Sequence, residues 1–323
     1  MTAKVFIDGE AGTTGLQISQ RLSGRRDIDL LHLSDAERKD SRRRAELLNE
    51  ADVSILCLPD AAARETVSML EDGARVIDAS TAHRTAPGWT YGFPEYEATQ
   101  ADEIAASYRV SNPGCYACGA IAMLHPLVKG DILPVDHPVT INAVSGYSGG
   151  GKKLIARFED PQAPDATDSN YYLYGLDLEH KHVPEIQVHG SLKQRPLFVP
   201  SVGRFAQGMI VSLPLQLWSL PGNPKPSHIH AALAEHYAAR KGAHGVTVSP
   251  LEDTAMLKEC LDAETLNDTN GLTIHVFGSE LREQAVICAV LDNLGKGAAG
   301  QAVQNLNLML GLPESAGLED IGS

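Results

Sequence analysis

In the segment Ser111-Asn112-Pro113-Gly114-Cys115-Tyr116-Ala117-Cys118-Gly119, a Pro-Gly turn stands directly ahead of a cysteine that opens the apolar run Tyr116 to Leu124. The run reads as a helix, and the positive end of a helix shifts a thiol at its N-terminus toward the reactive thiolate. The backbone N–H groups of the same first turn can hold an oxyanion on a carbonyl that the sulfur attacks. Cys115 is therefore the expected nucleophile. Cys118 makes this a C-x-x-C and leaves a thiol–disulfide reading open. A second C-x-x-C pair is absent, so no structural metal is expected.

A thiol nucleophile needs a partner that moves protons near neutral pH, and histidine is the natural choice. Of twelve histidines, His180 and His182 stand out in Glu179-His180-Lys181-His182-Val183-Pro184-Glu185-Ile186, a polar cluster bounded by proline. Their spacing puts both rings on one side if the segment is extended. His182 is the expected acid/base.

Immediately after a strand-like run comes Gly9-Glu10-Ala11-Gly12-Thr13-Thr14-Gly15. A glycine turn between a first strand and a first helix lets backbone N–H groups approach a pyrophosphate, which makes Gly9, Gly12, Thr13, Thr14 and Gly15 the expected dinucleotide contacts. The spacing G-x-x-G-x-x-G departs from the commoner G-x-G-x-x-G. At the end of the second strand an acidic residue suits NAD and basic ones suit the 2′-phosphate of NADP. Ser34, Arg38 and Lys39 point to NADP, within a basic cluster that continues through Arg42, Arg43 and Arg44; Asp35 points the other way.

The elements that must position these residues follow from periodicity. Strand-like runs at Lys4 to Asp8, Ile28 to Leu33, Val53 to Leu58 and Arg75 to Ala79 alternate with helical stretches, the pattern of a doubly wound parallel sheet. Beyond it, strand-like runs at Val139 to Val144, Met209 to Leu213, Leu272 to Phe277 and Gln284 to Val290 predict a second α+β domain with a mixed sheet. Ser227 is the expected cap of a helix through Tyr237. The expected division is a Rossmann-type domain over 1–114, completed by a C-terminal helix within 292–323, and a catalytic domain over 115–291. The extent of the second sheet predicts a homo-oligomer, dimer or tetramer.

Composition narrows the class. A net charge of −14 over 323 residues excludes a nucleic-acid partner. No apolar stretch approaches the ~20 residues of a membrane span and the N-terminus carries no charged-then-apolar leader, which predicts a cytoplasmic protein. An odd number of scattered cysteines, five, fits a reducing compartment.

Taken together, several segments resemble the N-acetyl-gamma-glutamyl-phosphate reductase family, in its shorter form, of the semialdehyde dehydrogenase superfamily. Beside the glycine turn and the Cys115 segment these are Val76-Ile77-Asp78-Ala79-Ser80, Tyr91-Gly92-Phe93-Pro94-Glu95, Ala143-Val144-Ser145-Gly146, His180-Lys181-His182-Val183-Pro184-Glu185 and Asp292-Asn293-Leu294-Gly295-Lys296-Gly297-Ala298-Ala299-Gly300-Gln301. The resemblance implies reduction of an acyl phosphate, N-acetyl-L-glutamyl 5-phosphate, by NADPH in arginine biosynthesis. Cys115 matches the family nucleophile and His182 its acid/base. Related aspartate-semialdehyde dehydrogenases are the second expectation. Pro59, Ser80 and Asn293 are expected at the cofactor. Asn112, Ser145, Gly146 and His180 are expected at the substrate, with Arg84, Arg109, Lys152 and Lys181 as candidate cations for its carboxylate and phosphate.

Overall fold

Alternation within the first strand sets the layering of the N-terminal half. In β1 (Ala3–Asp8), Val5 and Ile7 point to one side and Phe6 to the other, and all are buried. A strand apolar on both faces belongs in a parallel sheet covered by helices on both sides. The computed structural model describes residues 2–34, 36–37, 40–238 and 245–318. From β1 the chain runs through α1 (Thr13–Leu22), β2 (Ile28–Leu31), α2 (Ser41–Glu50), β3 (Val53–Leu56), α3 (Asp60–Val67), β4 (Val76–Asp78), β5 (Thr90–Tyr91), α4 (Gln100–Ala106) and β6 (Arg109–Ser111). The strands pair in parallel as a six-stranded sheet in the order β2-β1-β3-β4-β6-β5. Val5, Ile7, Ile55 and Ile77 pack with Ile18 and Leu22 of α1 and Ile104 of α4, while Phe6, Leu56 and Val76 pack with Leu47 and Leu48 of α2. Strand order reverses beside β1, which makes the carboxyl ends of β1 and β3 the switch point where such sheets bind ligands.

The chain continues through α5 (Cys115–Lys129), β7 (Thr140–Gly146), α6 (Gly151–Glu159), β8 (Tyr171–Leu173), α7 (Val183–His189), β9 (Leu197–Gly203), β10 (Met209–Gln216) and α8 (Pro226–Tyr237). It then forms β11 (Val246–Val248), α9 (Leu251–Met256), β12 (Leu272–Ser279) and β13 (Gln284–Leu291). A π-helical turn at Gly295–Ala299 leads into α10 (Gly300–Leu310). The later strands make a seven-stranded mixed sheet in the order β11-β12-β13-β10-β7-β9-β8. The chain divides into two compact units, Met1–Gly114 with the segment that starts at Ala298, and Cys115–Gly297. Asp292 to Gly297, expected with the dinucleotide domain, thus fall in the second unit. The buried carboxylate of Asp292 holds them there by accepting from the backbone N–H of Leu294 and Asp268 and from the Gln207 amide.

Helix α5 is buried from Tyr116 to Val128 and carries Pro126 inside it. Proline cannot donate to the carbonyl one turn back, that of Ala122. The Tyr237 hydroxyl donates to that carbonyl instead, at 2.9 Å. Helix α8 supplies Tyr237 on the same stripe as Ile229 and Leu233, all buried. The expected Ser227 cap is not used. The helix starts at Pro226, whose missing N–H suits the first position, and Lys225 is the cap. Among the described residues no helix is long and apolar enough to cross a membrane.

Candidate active site

In the first unit, β1 ends in the glycine turn. Gly9 takes a left-handed φ of +91°, and a Cβ there would collide with the Cys57 carbonyl; a Cβ at Gly15 would lie 2.5 Å from the Gly9 oxygen. Only glycine fits where the turn folds so closely on itself. Gly12 precedes α1 with no side-chain cap, and no acid stands in the helix's first turn, so the N–H groups of Thr13, Thr14 and Gly15 lack an intrahelical partner and could hold an anion. This cradle suits a dinucleotide pyrophosphate. Pro59, the residue ahead of α3, and Ser80 follow the carboxyl ends of β3 and β4. The Ser80 hydroxyl is committed within its own loop, donating to Asp78 at 2.7 Å and accepting from the Ala82 N–H at 3.1 Å.

The basic cluster is partly spent on structure. Arg44 pairs with the buried Asp8 at 2.6 Å, and Arg42 and Arg43 pair with Glu46. Ser34 donates its hydroxyl to Glu37 at 2.6 Å and its N–H to the same carboxylate. Arg38 and Lys39 lie outside the described residues.

All four polar groups of Asn112 are engaged inside the first unit. Its N–H donates to the Asp78 carbonyl at 2.8 Å, and its own carbonyl accepts from Arg84 Nε at 2.9 Å. Its amide donates to the Ala298 carbonyl and accepts from Asn305, both at 3.0 Å. Asn112 therefore braces the turn ahead of Cys115 rather than presenting its side chain to a substrate. Arg109 sits at the opposite end of β6, its guanidinium over the Trp89 ring at 5.9 Å, away from the carboxyl edge where ligands bind.

In the second unit, Cys115 is the first residue of α5, as its sequence context predicts, and it is partly accessible. Cys118, one turn on, is wholly buried. Burial pushes the thiols of Cys57 and Cys288 up to about 12 and about 11, so neither is a nucleophile near neutrality.

Beside Cys115, Tyr116 gathers the histidines. Its ring meets His180 and His182 edge-on, each with centroids 5.8 Å away, and the two imidazoles lie 4.9 Å apart. The 180–182 segment is a turn, not the extended strand that spacing alone allows: the His182 N–H donates to His180 Nδ1 at 3.2 Å, and His182 starts α7. That bond makes Nδ1 an acceptor, so the neutral ring carries its proton on Nε2. Nε2 lies 3.3 Å from the Tyr174 hydroxyl, which donates to Tyr116 at 3.3 Å, and Tyr116 donates to the Ser201 carbonyl at 2.9 Å. Burial, then the charge of Lys181, lowers the His180 pKa to about 4. His180 is thereby a neutral, doubly bonded support beside the buried His182. Burial raises both phenols, and the charge of Cys115 raises them further. These tyrosines escaped the sequence reading because packing, not a local motif, brings them to the histidines. Only the i+1 position of Tyr116 could have signalled it.

Ser145, the last residue but one of β7, donates its hydroxyl to the Gly146 carbonyl at 3.0 Å. Gly146 lies where a Cβ would approach the Ala206 backbone at 2.6 Å. Lys152, in the first turn of α6, and Lys181 are exposed cations. Asn293 is 1% exposed in this unit; its amide donates to Ser148 at 2.9 Å and accepts from the Gly208 N–H at 2.8 Å. It is a structural clamp between β10 and the loop after β7.

Comparison with known proteins agrees with this architecture. A model of the semialdehyde dehydrogenase NAD binding domain matches residues 4–104, and one of the semialdehyde dehydrogenase dimerisation domain matches 115–293. An N-acetyl-gamma-glutamyl-phosphate reductase of Brucella ovis is 54% identical over 96% of this chain and 100% of its own length. That of Brucella melitensis gives the same identity and coverage. Among solved structures, aspartate semialdehyde dehydrogenase II of Vibrio cholerae superposes with a TM-score of 0.68 at 13% identity, covering 96% of this chain and 98% of that one. A probable aspartate-semialdehyde dehydrogenase of Pseudomonas aeruginosa gives 0.67 at 18%, covering 96% and 99%. At such identities the likeness shows the fold alone.

Proposed function

The chain belongs to the N-acetyl-gamma-glutamyl-phosphate reductase family of semialdehyde dehydrogenases, and from that premise we propose that it reduces N-acetyl-L-glutamyl 5-phosphate to N-acetyl-L-glutamate 5-semialdehyde and phosphate, using NADPH, in arginine biosynthesis. A bound nicotinamide dinucleotide supplies the hydride. The Cys115 thiolate attacks the acyl carbon, the bond to phosphate breaks, and a thioester forms on the sulfur. Hydride addition to the thioester carbonyl gives a thiohemiacetal on Cys115, whose oxygen takes a proton from His182. As the carbon–sulfur bond breaks, that proton returns to His182, the aldehyde leaves and the thiolate is restored.

The N–H groups at the start of α5 hold the oxyanion in both carbonyl additions. Lys152 and Lys181 are the proposed contacts for the anionic substrate. Arg38 and Lys39 are the proposed contacts for a 2′-phosphate, and the setting is cytoplasmic. The observation that carries the reading is the clustering of His180, His182 and Tyr174 around Tyr116, the residue that follows a helix-opening, partly accessible cysteine.

The test is the reverse reaction. N-acetylglutamate semialdehyde and phosphate should reduce NADP, followed at the nicotinamide absorbance band, with little turnover if phosphate is omitted or NAD is supplied. Equal rates with NAD would overturn the cofactor choice. Phosphate-independent oxidation would overturn the acyl phosphate.

A further inference from the structure

At the carboxyl end of β4 a single carboxylate closes a loop. Asp78 is wholly buried and accepts from Ser80 N at 2.9 Å, Ser80 Oγ at 2.7 Å and His83 Nδ1 at 2.6 Å. A carboxylate only accepts, so Nδ1 carries the proton. The imidazole lies flat on Trp89, with centroids 4.1 Å apart and planes 12° apart, which fixes its orientation. Helix α3 holds the same loop from outside: Asp60 accepts from the Thr81 N–H at 3.0 Å, and Arg64 donates to the Ala82 carbonyl at 3.0 Å.

The next residue, Arg84, is buried and spends Nε on the Asn112 carbonyl at 2.9 Å and Nη2 on the Ala79 carbonyl at 3.1 Å. With the Asn112 N–H on the Asp78 carbonyl, the peptide groups of residue 112 are gripped from both sides by the same loop. Only Pro113 and Gly114 separate that grip from Cys115.

We propose that His83 is a positioning residue for the nucleophile: by closing the loop on Asp78 it seats Arg84 against the Asn112 carbonyl and so fixes the turn that leads into Cys115. Removing the imidazole takes one of three donors from a buried carboxylate and frees the residue next to Arg84. The loss therefore reaches the nucleophile through the backbone of Asn112. This inference rests on Cys115 being the nucleophile. Asparagine at 83 can return a nitrogen donor to Asp78 from about the Nδ1 position, so His83→Asn separates the hydrogen bond from the stack on Trp89.

The experiment measures kcat, the KM for NADP and the alkylation rate of Cys115 by iodoacetamide in His83→Ala and His83→Asn, with Cys115→Ser alongside to correct for other thiols. His83→Ala should lose on the order of 10- to 100-fold in kcat, as expected for a misplaced reacting group, with a parallel change in alkylation and an unchanged KM for NADP. His83→Asn should restore most of both rates. Wild-type kcat and alkylation in His83→Ala would overturn the proposal, as would a His83→Asn protein as impaired as His83→Ala. An active Cys115→Ser control would instead fell the thioester reading itself.

Discussion

A proton withheld from His180 links site chemistry to stability. Its pKa falls to about 4 from an ordinary 6.5, so between those values the unfolded chain binds a proton that the folded chain refuses. The contribution of this ring to stability is complete above pH 6.5 and is lost as the pH falls toward 4. His180→Gln should flatten the decline of melting temperature across that window; an equally steep decline would assign the acid sensitivity to other groups. At the neighbouring thiols, Cys115→Ser should abolish turnover while NADP binding persists, because no hydroxyl matches a thiolate there. Cys118→Ser should keep turnover under reducing conditions, and an acyl group trapped on Cys118 by mass spectrometry would reverse the assignment. Cys115 and the histidine pair were legible because a Pro-Gly-Cys helix start and a proline-bounded H-x-H are local signals. The commitments of Asn112 and Asn293 were not, since each is fixed by partners far away in sequence, such as Asn305 and Gly208.

Among the elements, the parallel sheet was readable from alternation and glycine punctuation, and the strand starts at Ile28 and Val53 match the expectation. The π-helical turn at Gly295–Ala299 was not. It lies inside the 292–323 stretch expected to supply a C-terminal helix, and no local propensity marks such a bulge. Its consequence is contact: a Cβ at Gly297 would lie 2.7 Å from the Cys115 Cβ and 3.2 Å from its Cα. The backbone of the turn therefore packs against Cys115 with no room for a methyl group. Gly297→Ala should displace one or the other, lowering kcat by on the order of 100-fold for a shift of about 1 Å. The strain should also reduce stability by about 1–3 kcal/mol. Steady-state kinetics and thermal melts check both. Unaltered turnover would mean that the turn relaxes away from Cys115.

For the molecule as a whole, the second sheet has one face filled and the other only partly covered, with His275, Cys288 and Val290 buried on it. Val211, Leu213, Ile274, Val276, Ile287 and Ala289 are buried. The alternate positions on the same strands include Ile210, Pro214, Phe277 and Val286, which are half-buried or exposed. A groove of about 720 Å³ runs over this face, lined by Thr140, Pro214, Phe277 and Val286. Apolar side chains in register across neighbouring strands are a surface that water covers poorly. This segment matches a domain model described as a dimerisation domain, so the occupant we propose is the same face of a second copy, an isologous pairing. Such an interface would present every contact twice, residue i against j and j against i across a two-fold axis. One introduced charge is then buried twice in the apolar contact, each time without a partner. Val286→Glu should accordingly convert the assembly to monomer, seen by light scattering on a sizing column at concentrations where the parent chain is a dimer or tetramer. A parent chain that is monomeric at those concentrations, or a Val286→Glu protein that keeps its assembly, would place the contact elsewhere or remove it.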